Sequence, residues 1–146
     1  MKPGEVRPIA ICVITDGDRI FAGKHYDPSK KETFYRPLGG AIEFREYGRE
    51  CVIREIREEA AKEIKDLVYL GVIENIFVCD GQPGHEIVLV YQANFVDPDV
   101  YKVGSIRCRN NGEEFDACWK PLSEFREGKA VLYPEGLLKL VDKMVK

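Results

Sequence analysis

Very little in this chain points to partners that need charge, cross-links or long apolar spans. Lysine and arginine number 22 against 25 aspartates and glutamates, a net charge of -3, so the basic excess that nucleic acid or an anionic membrane surface would require is missing. No apolar run approaches the roughly 18 residues needed to span a bilayer. The opening Met-Lys-Pro-Gly-Glu-Val-Arg lacks the apolar core of a secretory leader. The five cysteines, Cys12, Cys51, Cys79, Cys108 and Cys118, are odd in number and scattered. No two are separated by two residues, which excludes a zinc ribbon or a paired redox motif and argues against a disulfide scaffold. A reducing, cytoplasmic setting is the expectation. Histidine occurs twice and tryptophan once. No repeat, low-complexity tract or linker is visible, so residues 1–146 are expected to form a single domain.

What is present is a dense acidic stretch, Gly40-Ala-Ile-Glu-Phe-Arg-Glu-Tyr-Gly-Arg-Glu-Cys-Val-Ile-Arg-Glu-Ile-Arg-Glu-Glu-Ala-Ala-Lys62. At about 100° per residue, Glu55, Glu58 and Glu59 fall on one face of a helix expected from about Tyr47 to at least Ala60. Like charges three and four apart repel. Arg54 and Arg57 could offset them through local ion pairs, and an acidic stripe is most often a solvated face. An all-oxygen set of this kind also suits a hard divalent cation. Val52, Ile56 and Ala60, with Ile53 and Ile64 beside them, make an apolar stripe that should pack on a sheet while the acidic side faces a cleft. Glu46 opens the segment, and the glycine pair before it reads as a turn.

The rest of the chain reads as mixed. Ile9–Thr15 and Arg19–His25 are strands around the turn Asp16-Gly17-Asp18. Asp27–Glu32 reads as a loop and Phe34–Pro37 as a short extended segment. Leu67–Cys79, bent at Gly71, and Glu86–Phe95 form a long hairpin. Residues 97–112 read as irregular. Glu114–Trp119 is a last strand, Pro121–Phe125 a short helical turn, and Glu135–Val145 an amphipathic helix with Leu137, Leu138, Val141 and Met144 on one side.

The acidic segment resembles the signature of the Nudix hydrolases: a glycine, five residues, a glutamate, seven residues, then Arg-Glu-aliphatic-x-Glu-Glu-x-Gly-aliphatic. Gly40, Glu46, Arg54, Glu55, Ile56, Glu58 and Glu59 match it at the required spacing. Flanking stretches resemble the same family, notably Tyr35–Gly40, Gly71–Phe77, His85–Tyr91, Trp119–Leu122 and Tyr133–Leu138. The resemblance implies an α/β (α+β) fold, an α/β/α sandwich with a central mixed sheet. It implies hydrolysis of a phosphoanhydride bond in a nucleoside diphosphate linked to another moiety, with Mg²⁺ or Mn²⁺ held by Glu55, Glu58, Glu59 and the carbonyl of Gly40. Glu46 and Arg54 become scaffolding that orients a glutamate. The general base stays open among Glu58, Glu59, Glu113, Glu114 and Glu86.

Arg36 and Arg19 are candidates for phosphate, and Glu86 and Glu114 for other substrate contacts. Trp119, Phe77, Tyr35 and Tyr91 could stack a base, although core packing is the commoner fate of such residues in strands. The expected partner is a small nucleotide, with no nucleic acid, no membrane and a homodimer as the oligomeric alternative. The downstream proline and tyrosine that mark some subclasses are missing around Phe77–Asp80. Three departures stand out. Ala61 and Lys62 replace the signature's last glycine and aliphatic, and Tyr47 occupies the usual Ser/Thr helix cap. Ala61 either adopts the left-handed conformation at a cost or lets the helix run on toward Ile64. Lys62 points either near the carboxylates or to solvent. These features keep a second reading open, a nucleotide-binding module without catalysis. A third, an isopentenyl diphosphate isomerase, would want a catalytic cysteine that Cys51, Cys79 and Cys118 do not supply convincingly.

Overall fold

The computed structural model describes residues 4–144. The strands are β1 (Arg7–Val13), β2 (Thr15–Asp16), β3 (Arg19–Asp27), β4 (Glu32–Arg36), β5 (Gly39–Ala41), β6 (Ile64–Cys79), β7 (Gln82–Phe95), β8 (Ser105–Asn110) and β9 (Glu113–Pro121). The helices are α1 (Gly48–Ala60), α2 (Leu122–Arg126) and α3 (Leu137–Met144), and a 3₁₀ turn spans Pro98–Lys102. Val145, the last residue of the helix expected at the C-terminus, lies outside the described residues.

Two sheets carry the fold. One is mixed, in the order β5-β1-β7-β6, with β1 and β7 parallel and the other pairs antiparallel. The second is antiparallel, in the order β2-β3-β9-β8, with β4 added to β3. β1 alternates its side chains between two cores. Ala10 and Cys12 face α1 with Val52, Ile56 and Ala60, whereas Ile9, Ile11 and Val13 face α2 and α3 with Leu122, Leu137 and Val141. Helices therefore cover the mixed sheet on both sides, as the period-3.6 stripe on α1 and the apolar side of α3 predict.

The differences from the sequence reading have local causes. The glycine pair is not a turn. Gly39 and Gly40 lie in β5, paired with Ile11 and Ala10. A Cβ at Gly39 would come 2.1 Å from the carbonyl oxygen of Ala10, so only glycine lets β5 approach β1 this closely. Residues 97–112 are not irregular throughout. β8 alternates inward Ile106 and Cys108 with outward Arg107 and Arg109, which pair with Asp116 and Glu114 on β9. Charge on such an edge strand hides its strand character from composition while blocking edge-to-edge pairing. The bend at Gly71 is a register shift in β6.

α1 stops where the signature glycine would stop it. Ala61 takes the left-handed conformation, φ 55° and ψ 39°, and its N–H bonds to the Arg57 carbonyl. A side chain in this conformation costs about 1–2 kcal/mol. Ala61→Gly should therefore stabilise the fold by up to about 1 kcal/mol, after the extra chain entropy of glycine is subtracted. Urea denaturation reads the shift, and a lower midpoint would contradict it. Tyr47 provides no side-chain cap. Glu50 takes over, accepting the Tyr47 N–H at 2.8 Å, half of a capping box.

Candidate active site

α1 docks on the free edge of β5, and its side chains satisfy that edge. Glu59 accepts the Gly39 N–H at 3.3 Å, Arg54 donates to the Ala41 carbonyl at 3.1 Å, and the Cys51 thiol donates to the carbonyls of Gly40 and Ala41. The fit is tightest at Gly40, where a Cβ would stand 2.5 Å from the Glu55 carboxyl carbon. The missing side chain at position 40 is the space that Glu55 uses.

Above this junction opens a cleft of about 760 Å³ between the two sheets, lined by Glu55, Glu58 and Glu59 from α1, by Gly39, Gly40 and Arg36, and by Glu86 from β7. Arg54 ties the acidic face together. It donates to Glu46 at 2.7 and 3.0 Å, to Glu55 at 2.9 Å and to Glu58 at 3.3 Å. Its bidentate bond holds Glu46 down at about 2, and burial raises Glu55 despite Arg54. Glu59 is 6% exposed. Burial first, then the neighbouring Glu55, push its carboxyl up to about 8. Arg36 on β4 donates to Glu86 on β7 at 2.9 Å, and Asn75 donates to the same carboxylate oxygen at 3.1 Å. This pair bridges the sheets at the cleft and fixes the guanidinium.

The other expected residues are elsewhere. Arg19 does not line the cleft; it bonds Asp16 at 2.6 Å and the Tyr101 carbonyl and lies over the Trp119 ring. Glu114 pairs with Arg107 and Arg109, and with Glu113 it lines a second, smaller cavity. Lys62 turns to Asp97, 3.6 Å away. Trp119 and Tyr35 are core residues, and Tyr91 packs against Gly48 and Tyr69. Phe77 lies across Gly84 in the β6–β7 hairpin. The aromatic residues that do line the cleft are Phe34 and Phe115, with His25 between them. Nothing in the linear sequence singles them out, because their alignment depends on which strands pair. Cys51 is buried, and its thiol is pushed up to about 12, so it stays protonated rather than nucleophilic.

The donor chemistry fits a hard divalent cation: three carboxylates and a backbone carbonyl, two of the acids raised by burial and mutual repulsion. Among the described residues no three His, Cys, Asp or Glu side chains are gathered closely enough to enclose an ion as they stand, and Arg54 holds Glu55 and Glu58.

The family model described as NUDIX domain matches residues 5–140. The chain belongs to the Nudix family. Among curated relatives, this Nudix domain is 31% identical over 114 residues to an NAD-capped RNA hydrolase NudC of Pseudomonas fluorescens, covering 78% of this chain and 36% of that protein. It is 29% identical over 93 residues to the NudC of Pseudomonas aeruginosa, covering 64% of this chain and 31% of that one. The chain thus spans about a third of the length of these relatives. Its fold matches a NUDIX hydrolase from Nitrosomonas europaea with a TM-score of 0.68 at 19% identity, covering 98% and 88% of the two chains. It also matches a MutT NUDIX hydrolase from Burkholderia pseudomallei with a TM-score of 0.65 at 20% identity, covering 97% and 99%. Among the described residues of this Nudix domain, no helix is long and apolar enough to cross a membrane.

Proposed function

We propose that this Nudix domain hydrolyses a phosphoanhydride bond in a nucleoside diphosphate joined to a second moiety. The reading rests on one observation above others: two burial-raised carboxylates, Glu55 and Glu59, stand against glycines of β5 in a cleft that also holds the fixed guanidinium of Arg36. In this reading Glu55, Glu58, Glu59 and the Gly40 carbonyl hold Mg²⁺ or Mn²⁺. When bound, the cation neutralises phosphate oxygens and makes water more acidic. The chain's own groups do the rest. Gly39 and Gly40, without side chains, let a phosphate come close to the backbone. Arg36, held by Glu86, offers its remaining donors to a phosphate oxygen. Arg54 and Glu46 keep Glu55 in position. A carboxylate of the α1 cluster takes the proton released as water attacks phosphorus and the P–O bond to the leaving phosphate breaks. The products are a nucleoside monophosphate and the phosphorylated second moiety.

The test is a panel of nucleoside triphosphates, nucleotide sugars, ADP-ribose, dinucleoside polyphosphates, NAD and NAD-capped RNA, the last two taken from the relatives' named activity. With Mg²⁺ present, at least one should yield the monophosphate product, and a chelator should stop it. Nucleotide binding without turnover across the panel would overturn the reading in favour of a non-catalytic binding module.

A further inference from the structure

Three half-buried rings form one row across the second sheet. Phe34 on β4 is directly opposite His25 on β3, with ring centroids 5.5 Å apart. His25 meets Phe115 on β9 at 5.0 Å. The row has space because Gly23, two positions before His25 on the same face, carries nothing; a Cβ there would stand 2.9 Å from the Phe115 ring. Burial, and then Arg36, hold His25 below its ordinary value, so its ring is uncharged at pH 7.

These rings differ from the domain's structural aromatics. Phe21, Phe95, Tyr35 and Trp119 are 8% exposed or less and close-packed in the two cores. Phe34, His25 and Phe115 instead present part of their surface to the carboxylate cleft, and His25 and Phe115 also line the smaller cavity beyond it. The row thus borders both hollows through His25 and Phe115. Its placement relative to the acidic site follows from strand geometry. Arg36 is two residues after Phe34 on the same face of β4, about 7 Å further along the strand. That distance leaves room for a sugar between a phosphate at Arg36 and a planar group on the rings.

We propose that Phe34, His25 and Phe115 form a stacking wall for the nucleobase of the substrate. This deepens the reading of the cleft as a phosphoanhydride site and depends on it for the position of the phosphate. Stacking is tolerant of base identity because every base has a π-face. The wall therefore selects for a nucleobase as a class and leaves discrimination between bases to other contacts.

Calorimetric titration with AMP and with ribose 5-phosphate tests it, using the wild-type chain and the variants Phe115→Ala, Phe34→Leu and Phe115→Tyr. Wild type should bind AMP at least roughly tenfold more tightly than ribose 5-phosphate. Phe115→Ala and Phe34→Leu should each erode most of that difference without changing ribose 5-phosphate binding, and Phe115→Tyr, which keeps the ring, should preserve it. Equal binding of AMP and ribose 5-phosphate by wild type would overturn the proposal even if a variant failed to fold. So would unchanged AMP affinity in the folded variants, or no AMP binding at all. Ring-dependent AMP binding in a chain that hydrolyses nothing on the panel would keep the wall and sink the hydrolase reading. Turnover with base-independent binding would do the reverse.

Discussion

Replacing Glu59 with glutamine is expected to lower turnover by roughly a hundredfold to a thousandfold while leaving the fold intact. The substitution keeps the size of the side chain and removes the charge assigned to the cation. Charge stabilisation of this kind is worth several kcal/mol in a transition state, and each 1.36 kcal/mol is about a factor of ten in rate. Glu58→Gln should follow in the same direction. Unaltered rates would show that the acidic face is not catalytic.

The same Glu59 variant should behave oppositely in stability. In the metal-free chain the folded carboxyl titrates at about 8, against an ordinary value of 4.5. Between those values the folded state keeps a proton that the unfolded state has released, so stability falls as pH rises through this window and levels off above it. The contribution is of the order of a few kcal/mol. Thermal melts in chelator from pH 5 to pH 9 should therefore slope downward for wild type and much less for Glu59→Gln. Parallel curves would refute the assignment. A more stable but slower variant fits the general trade between active-site strain and stability.

The adjacent glycines should separate fold from function. Gly39→Ala would drive a Cβ to 2.1 Å from the Ala10 carbonyl oxygen and 2.7 Å from the Ile11 Cα. Both are backbone atoms of the strand at the centre of the two cores, and neither can swing aside. A loss of roughly 3–5 kcal/mol, or failure to fold, is expected, since overpacking against backbone belongs to the severe end of single substitutions. At Gly40→Ala the nearest group is the Glu55 carboxyl, with its carbon at 2.5 Å and both oxygens at 2.7 Å. That group ends a flexible side chain and can move. Stability should change little, while displacement by about 1 Å of a group proposed to hold the cation should cost on the order of a hundredfold in rate. Urea melts and turnover of the two variants together decide the matter. An active Gly40→Ala enzyme, or a fully stable Gly39→Ala chain, would contradict this account of β5.

The helix was legible in the linear pattern because its stripe and its carboxylates repeat with the helical period, and so were the long hairpin strands bounded by turn residues. β8 was not, because its alternation is short and half of it is charged. β5 was misread for a different reason. A glycine pair looks like a turn unless β1 is known to lie against it, and that approach joins segments about thirty residues apart.

The residue pattern by itself determined which groups stand on α1: Glu55, Glu58 and Glu59 on one side and Val52, Ile56 and Ala60 on the other, because a helix converts local spacing into a face. Only the tertiary structure decided what those faces meet: the bare backbone of β5, the Arg36–Glu86 pair joining two sheets, and the ring row of Phe34, His25 and Phe115. Each of these is a contact between strands distant along the chain. Such contacts depend on sheet order and register, which long-range packing sets and no local spacing encodes.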